Sequence, residues 1–220
     1  MEYSRKELIL HIYDLLLKKF GHRDWWPADS PFEVIIGAIL TQNTAWTNVE
    51  KAISNLKRSN VLSPVKIQAL TLPELAMLIK PSGFYNQKAK RLKEVVGYLN
   101  DHYNGLVDNM CEKDSHTLRE ELLSIKGIGK ETADSIILYA CSKPVFVVDS
   151  YTHRVFFRHG MIEEQMEYDE IQEMFMDNLN HEYKMFNEYH ALIVEVAKNY
   201  CRTKPLCEGC PLSELPGHIV

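Results

Sequence analysis

The amino-acid sequence predicts an all-α fold. Apolar residues recur every three or four positions along nearly the whole chain of 220 residues, which is the period of helices that bury one face. Helix start signals accompany this pattern, among them Ser30-Pro31 before an apolar run and Thr71-Leu-Pro-Glu74. Only residues 143–148 have the composition of an extended segment.

The predicted helices follow one another with short connections. An amphipathic helix runs from Leu8 to Phe20, and Gly21 is placed to end it. The next helix, Phe32 to Leu40, is apolar on all sides, so we expect it at the centre of a core. Further helices are predicted to begin near residues 45, 64, 71, 84, 117, 130, 150, 168 and 184.

Composition limits the class of protein. With 45% hydrophobic and 25% charged residues the chain is an ordinary globular protein, and no apolar run approaches the ~20 residues that span a membrane. The first residues lack the features of an export signal, so we expect a cytoplasmic protein. Five cysteines, an odd number, favour reduced thiols or metal ligands over a disulfide framework, with Cys111 and Cys141 acting as small hydrophobic residues.

A helix–hairpin–helix motif stands near the middle of the chain, at Ile125-Lys-Gly-Ile-Gly-Lys130. Glycines at 127 and 129 permit a tight turn and the close approach of another backbone. Amide groups at the start of the second helix, together with Lys126 and Lys130, would suit a phosphate. A plain turn between two helices is the alternative. The formal net charge of −5 means that nucleic acid would need such a local basic surface.

The motif continues as Lys130-Glu-Thr-Ala133, and Val147-Val148-Asp149 follows at a short distance. In this arrangement the sequence resembles the helix–hairpin–helix DNA glycosylases of the endonuclease III superfamily. The resemblance implies two helical lobes that meet at a cleft. A six-helix lobe, 29–142, would end in the motif, and residues 1–28 would join 143–220 in the other.

The resemblance also implies a function. The protein would be a base excision repair enzyme, a monomer, that binds double-stranded DNA, flips out a damaged base and cleaves its N-glycosidic bond. Asp149 would be the catalytic carboxylate that stabilises the cationic sugar. Asp149 also suits the N-cap of a following helix, and both roles are compatible. A DNA-damage binding module without catalysis is the alternative from another class.

A narrower resemblance is to the 3-methyladenine DNA glycosylase III branch. It rests on Trp25-Trp26-Pro27, Leu40-Thr-Gln-Asn-Thr44 and Pro81-Ser-Gly-Phe-Tyr-Asn-Gln-Lys-Ala-Lys-Arg91. An alkylated purine would then be the substrate, and its positive charge suits aromatic walls formed by Trp25, Trp26 and Trp46. Core packing is the other role for these tryptophans. Leu192 stands where that branch has a pocket lysine, so other lesions remain open.

Glu131, which would also lie at the base pocket, bears on the reaction type. In bifunctional members of the superfamily this position holds a lysine that attacks the sugar, and a glutamate cannot form an imine. We therefore expect a monofunctional enzyme in which water attacks. A bifunctional glycosylase and lyase that uses Lys130 is the alternative.

Gln42 and Phe84 match the family residues that fill the space left by a flipped base. Gln42 would plug the gap and Phe84 would form a wedge beside the orphaned partner base. A helix C-cap and a buried hydrophobe are their alternative roles. A basic run follows Phe84 and consists of Lys88, Lys90, Arg91 and Lys93. Lys88 and Arg91 would contact the DNA backbone. A solvated helix surface is the alternative role of such a run.

Three cysteines crowd the end of the chain, at Cys201, Cys207 and Cys210. They resemble the [4Fe-4S] loop of endonuclease III, although the first gap is one residue shorter and Pro216 occupies the expected fourth position. The resemblance favours an iron–sulfur cluster with an unassigned fourth ligand. Zinc held by the three cysteines and His218, or no metal, are the alternatives.

Overall fold

The computed structural model describes residues 4–215, and all regular secondary structure in that range is helical. The α-helices are α1 (Arg5–Phe20), α2 (Pro31–Leu40), α3 (Trp46–Arg58), α4 (Pro64–Ala69), α5 (Leu72–Leu78), α6 (Tyr85–Tyr103), α7 (Val107–Cys111), α8 (Ser115–Ser124), α9 (Lys130–Ser135), α10 (Ser150–Arg158), α11 (Tyr168–Asn178) and α12 (Tyr183–Asn199). A 3-10 turn, Lys80–Ser82, precedes α6, and a π-helical segment, Ile136–Ala140, follows α9. The all-α prediction is confirmed.

The chain divides into two compact units. One unit combines Met1–Pro27 with Pro144–Val220, and the other is Ala28–Lys143. The second unit contains α2 to α9, eight helices where the resemblance implied six, because α4 and α7 are single short turns in its connections. None of the helices between residues 4 and 215 is long and apolar enough to cross a membrane.

Local capping chemistry sets several helix ends where the sequence predicted them. Gly21 ends α1 with a φ of 67°, a backbone conformation that favours glycine. Ser30 accepts a hydrogen bond from the amide of Glu33 at the start of α2, and Pro31 occupies the first helical position. Thr71 and Glu74 form a reciprocal capping box on α5.

Helix α2 is the core of the unit Ala28–Lys143. Nine of its ten residues are buried, and it packs against α3, α6 and the π-helical segment. Its one buried carboxylate, Glu33, is paired with the Lys57 ammonium at 2.7 Å. The central position of this helix follows from its lack of a polar face.

Cys111 and Cys141 form a disulfide bond, with Cα atoms 5.0 Å apart. The prediction that both act as isolated small hydrophobic residues is therefore wrong. Thirty positions separate them in the sequence, and only the packing of α7 beside the π-helical segment brings them together. Composition and the count of cysteines cannot anticipate that packing.

An aromatic core organises the other unit. The side chains that contribute are Phe146, Phe156, Phe175, Phe186 and Tyr189, and all are buried. Phe146 lies in the non-helical segment 142–149 and stacks on Phe175, with ring centroids 3.9 Å apart and planes 9° apart. Because Phe146 is buried among rings from α11 and α12, it fixes the backbone three residues before Asp149.

Replacing Phe146 with alanine should therefore lower the free energy of unfolding by about 3–5 kcal/mol. Urea denaturation followed by circular dichroism measures this change. Phe84→Ala is the matched control, since it removes the same atoms from an exposed side chain and should change stability by less than about 0.5 kcal/mol. Equal losses in the two variants would contradict the anchoring role of Phe146.

Candidate functional site

Asp149 is the N-cap of α10. Its Oδ1 accepts hydrogen bonds from the Thr152 backbone amide at 2.7 Å and from the Thr152 hydroxyl at 2.9 Å. The Asp149 side chain is 11% exposed, whereas Thr152 is fully buried. The carboxylate is thus held rigidly and retains a small solvent-accessible edge.

His190, on α12, faces the second oxygen of this carboxylate. Its Nε2 lies 3.5 Å from Oδ2 of Asp149, and the His190 side chain is nearly buried. Burial raises the pKa of the Asp149 carboxyl, but His190 and the Thr152 donors together lower it by more. The pKa of Asp149 therefore lies below its usual value. Asp149 is therefore ionised at neutral pH.

Sequence reasoning missed His190. The available signal was a polar side chain within an otherwise apolar stretch of helix, since its neighbours Tyr189, Ala191, Leu192 and Ile193 are all buried. A buried histidine in such a position needs a polar partner, and Asp149 is the acid that faces it.

Leu192 was expected at the base pocket, and the structure contradicts this. The residue is fully buried on the face of α12 that also presents Tyr189 and Val196, one turn away on each side, to the core. Helical periodicity therefore makes Leu192 a core residue. The α12 side chains that line a groove beside Trp25 are instead Ala191, Val194, Glu195 and Lys198.

Trp25 and Trp26 follow α1 in the same unit as Asp149. Both are partly buried, and their ring centroids are 5.7 Å apart with planes tilted by 57°. Trp46, the first residue of α3, belongs to the unit Ala28–Lys143 and is also partly buried. Trp25 therefore has a face on an open groove of its unit, as a ligand-binding aromatic requires.

The two glycines of the helix–hairpin–helix motif have different environments. Gly127 has a φ of +92°, and a Cβ there would lie 2.7 Å from Cγ of Arg91, so only glycine fits. Gly129 caps α9 with an ordinary φ of −100°, and a Cβ would meet no heavy atom within 4 Å. The space in front of Gly129 is thus open to an incoming molecule, with Lys126 exposed and Lys130 partly exposed beside it in the sequence.

Gln42 lies in a network of side-chain hydrogen bonds, and Phe84 is an exposed aromatic residue with an unusual backbone conformation. Gln42 Nε2 donates to the Thr132 hydroxyl at 2.8 Å, and its Oε1 accepts from Arg91. Phe84 is 64% exposed and has a left-handed backbone, φ 45° and ψ 28°. A large aromatic side chain in that conformation is unfavourable in a folded chain, and such outliers concentrate at functional sites.

Lys88 was expected to contact the DNA backbone, and the structure contradicts this. The side chain is 1% exposed, and its ammonium donates hydrogen bonds inside the protein. Arg91 is partly buried against Gln42, and Lys93 donates to the carbonyl oxygens of Gln68 and Leu70. Only Lys90 of this basic run is exposed to solvent rather than buried or partly buried.

Cys201, Cys207 and Cys210 are free thiols that line one largely apolar cavity after α12. Cys201 Sγ accepts a hydrogen bond from Arg158 at 3.3 Å. Burial raises the pKa of the Cys210 thiol, and its proximity to Cys201 and Cys207 also favours the neutral form. No group of three or more metal-ligating side chains within residues 4–215 is arranged to hold a metal ion. Pro216 and His218 lie outside the described residues.

Comparison with known proteins decides the family. Residues 36–181 match the model of the HhH-GPD superfamily base excision DNA repair protein. The chain belongs to this superfamily.

Its relatives agree with that assignment. A Methanocaldococcus jannaschii protein with the provisional name of DNA repair glycosylase is 52% identical, over 97% of this chain and 98% of its own. Endonuclease III of Thermotoga maritima is 31% identical, over 82% of this chain and 79% of its own.

Solved structures of the HhH-GPD superfamily fold are similar as well. The 3-methyladenine DNA glycosylase of H. pylori bound to 1,N6-ethenoadenine has a TM-score of 0.76 and 34% identity, covering 89% of this chain and 98% of that one. An endonuclease III in non-covalent complex with DNA has a TM-score of 0.83 at 24% identity, covering 98% and 96%. The second likeness establishes the fold alone. Together the comparisons make the chain a DNA glycosylase of base excision repair.

Proposed function

We propose that this HhH-GPD protein is a monofunctional DNA glycosylase that flips a damaged purine, of the alkylated class, out of duplex DNA and hydrolyses its N-glycosidic bond. The observation that carries the proposal is the Asp149 carboxylate, which is ionised, nearly buried, held at Oδ1 by two Thr152 donors and faced at Oδ2 by His190. A carboxylate held in this way stabilises positive charge without having to reorganise.

Asp149 would act while the bond between C1′ and the base breaks. The electron pair leaves with the base, and the sugar gains positive charge. A carboxylate at ~4 Å lowers the free energy of that cationic sugar by about 4 kcal/mol at an effective dielectric near 20. Water then forms the new bond to C1′ and gives its proton to Asp149 or to solvent. A purine alkylated at N3 or N7 is already cationic and departs as a neutral base, so no general acid is required for that substrate.

The absence of an amine at position 131 supports hydrolysis over strand cleavage. Glu131 is exposed in the first turn of α9, at the position where bifunctional relatives carry the attacking lysine. A carboxylate cannot form a Schiff base with the sugar. Lys130, the neighbouring amine, projects about 100° away around the helix.

The DNA-binding surface would use the features that stand open on the unit Ala28–Lys143. The open backbone at Gly129 and the cations Lys126 and Lys130 suit a phosphate. Exposed Phe84 suits a wedge that stacks on a base, and Gln42 suits a plug. Arg91 would support Gln42, since its guanidinium already binds the amide oxygen.

The substrate class is supported by the tryptophans. Trp25 and Trp26 offer large aromatic faces, and a cationic purine gains from such contact. The similar H. pylori enzyme was crystallised with an ethenoadenine, a purine that carries an alkyl adduct. Trp46 and Glu131 are the further candidates for this pocket. Because Leu192 lies in the core, it contributes packing and no charge to the site.

We further propose that the C-terminal cysteines hold a [4Fe-4S] cluster. Cys201, Cys207 and Cys210 all line one cavity and would supply three of the four ligands, binding as thiolates. When bound, such a cluster would fix the chain after α12 and supply no step of the hydrolysis. Arg158, which donates to Cys201 Sγ, would stabilise the thiolate.

Asp149→Asn should lower single-turnover base release by about 100-fold or more while leaving the affinity for damaged duplex within severalfold, because asparagine keeps the cap and removes the charge. A panel of duplexes is assayed, each with one modified base: 3-methyladenine, 7-methylguanine, 1,N6-ethenoadenine, uracil or a mismatched thymine. Release of uracil or thymine alone would refute the purine assignment. No release by the wild type from any duplex would favour a binding module.

Glu131→Lys should create an amine where the bifunctional relatives have one, so borohydride should trap a covalent adduct with abasic DNA. Denaturing electrophoresis measures the trapped fraction. Glu131→Gln is the control and, like the wild type, should give no adduct above background. Efficient trapping of the wild type would instead support a glycosylase with lyase activity that uses Lys130.

Protein purified without oxygen should contain about four iron atoms per chain and absorb visible light through sulfur-to-iron charge transfer. Cys207→Ser should lose both signals, whereas Cys111→Ser, which alters a cysteine of the other unit, should keep them. Elemental analysis also detects zinc. A zinc-loaded or metal-free protein would exclude the cluster.

A further inference from the structure

The buried Lys88 ammonium has three hydrogen-bond acceptors. Nζ donates to the carbonyl oxygen of Leu40, to the hydroxyl of Thr44 and to the carbonyl oxygen of Ser82, each at 2.7 Å. An ammonium group has three N–H donors, so these contacts satisfy it completely.

These acceptors belong to two different turns. Leu40 and Thr44 flank the turn that carries Gln42, after α2. Ser82 ends the 3-10 turn that leads directly into Phe84. The Thr44 hydroxyl also donates to the Ser82 carbonyl, at 2.5 Å. A single side chain of α6 therefore joins the Gln42 turn to the Phe84 turn.

Arg91, one helical turn after Lys88, reinforces the same junction. Its guanidinium donates to Oε1 of Gln42, and its stem fills the space in front of Gly127. Gln42 Nε2 also donates to the Thr132 hydroxyl, so both the oxygen and the nitrogen of the Gln42 amide have a partner. The first two turns of α6 thus hold Gln42 and, through Ser82, the backbone that precedes Phe84.

A charged group at this position is unfavourable for stability alone. Taking an ammonium out of water is costly, and a well-packed apolar side chain often replaces such a group without loss. Desolvation and, to a smaller extent, the nearby Arg91 charge together lower the pKa of Lys88 to about 8. At neutral pH the side chain still carries its proton and its three donors. What the lysine gives, and an apolar residue cannot, is a fixed spacing between two turns.

We propose that Lys88 is a positioning residue for base extrusion, which locks the Gln42 turn to the Phe84 turn so that plug and wedge enter the DNA together. The proposal rests on the proposed function, because it takes Gln42 and Phe84 as the residues that fill the opened duplex. Extruding a paired base costs a few kcal/mol, and a prearranged pair of turns avoids adding the entropy of ordering them. Lys88 touches neither DNA nor the reacting atoms.

Thr44→Val tests this with little risk to folding, because it removes the hydroxyl that bridges Lys88 and Ser82 and keeps the shape. Thr44→Ser keeps the hydroxyl and should rescue. Lys88→Met removes the whole ammonium. Thr47→Val and Lys66→Met make the same changes at exposed positions on α3 and α4 and are the matched controls.

Each variant is assayed on two duplexes that contain the same lesion. In one the lesion is paired with its normal partner, and in the other it lies opposite an abasic analogue, so that little pairing has to be broken. Base release is measured in a single turnover, and extrusion is measured by the fluorescence of 2-aminopurine beside the lesion. Binding to undamaged duplex is measured in parallel.

Thr44→Val and Lys88→Met should lose about tenfold or more in release and extrusion on the paired duplex, and less than about threefold on the unpaired one. Thr44→Ser and both controls should match the wild type, and binding to undamaged DNA should not change. Equal losses on both duplexes would show a general structural defect and overturn the proposal. Unchanged extrusion by Thr44→Val would overturn it as well.

The proposed function can fail separately. If the wild type releases no base, the glycosylase assignment fails, while the fluorescence signal still decides whether Lys88 positions the two turns. If the wild type gives no fluorescence change on the paired duplex, base extrusion itself is excluded and the role of Lys88 with it. Should Lys88→Met not fold, the Thr44→Val and Thr44→Ser pair still separates the outcomes.

Discussion

The Asp149 carboxylate is the charge on which the proposed site depends, and the packing of its unit fixes its position. Thr152 binds one oxygen from the first turn of α10, and His190 faces the other from α12. These two helices pack together over the aromatic core that also holds Phe146. Helix capping, histidine contact and core packing therefore act on the same few atoms. The acid stays ionised although it is nearly buried, because each of its oxygens has a polar neighbour.

Features encoded within four or five residues could be predicted from the sequence. Ser30 and Thr71 start helices because their side chains bind the amide three positions ahead, and Gly21 ends one by its positive φ. Asp149 belongs to this group, since the sequence also predicts its role as a helix N-cap. The apolar run in α2 predicted burial, because a helix without a polar face has nowhere else to lie.

Features that depend on the packing of distant segments could not be predicted in this way. The Cys111–Cys141 bond needs α7 to lie beside the π-helical segment, and the His190 contact needs α12 beside α10. Lys88 is a middle case. Its charge predicts a place on a basic surface, yet it lies four and seven positions before Leu92 and Val95 on the buried stripe of α6. Helical periodicity favours burial of Lys88 and charge favours exposure, and the three acceptors that decide between them come from distant turns.

Lys88 and Asp149 carry opposite charges, and both are held in place by polar contacts inside the protein. Each is a nearly buried ion, one in each unit, and the contacts that satisfy it come from that unit alone. A buried ion with a complete set of partners has few alternative positions, since any displacement leaves a donor or acceptor without a partner. Such groups add little to net stability, but they fix geometry. The proposed function, in which the protein opens a duplex and then stabilises a short-lived cation, requires fixed geometry at both steps, because reorganisation of the protein would add to the cost of each. The complete sets of polar partners inside each unit therefore explain the two buried charges. Apolar side chains at these positions would cost less free energy to bury, but they would not fix the same geometry.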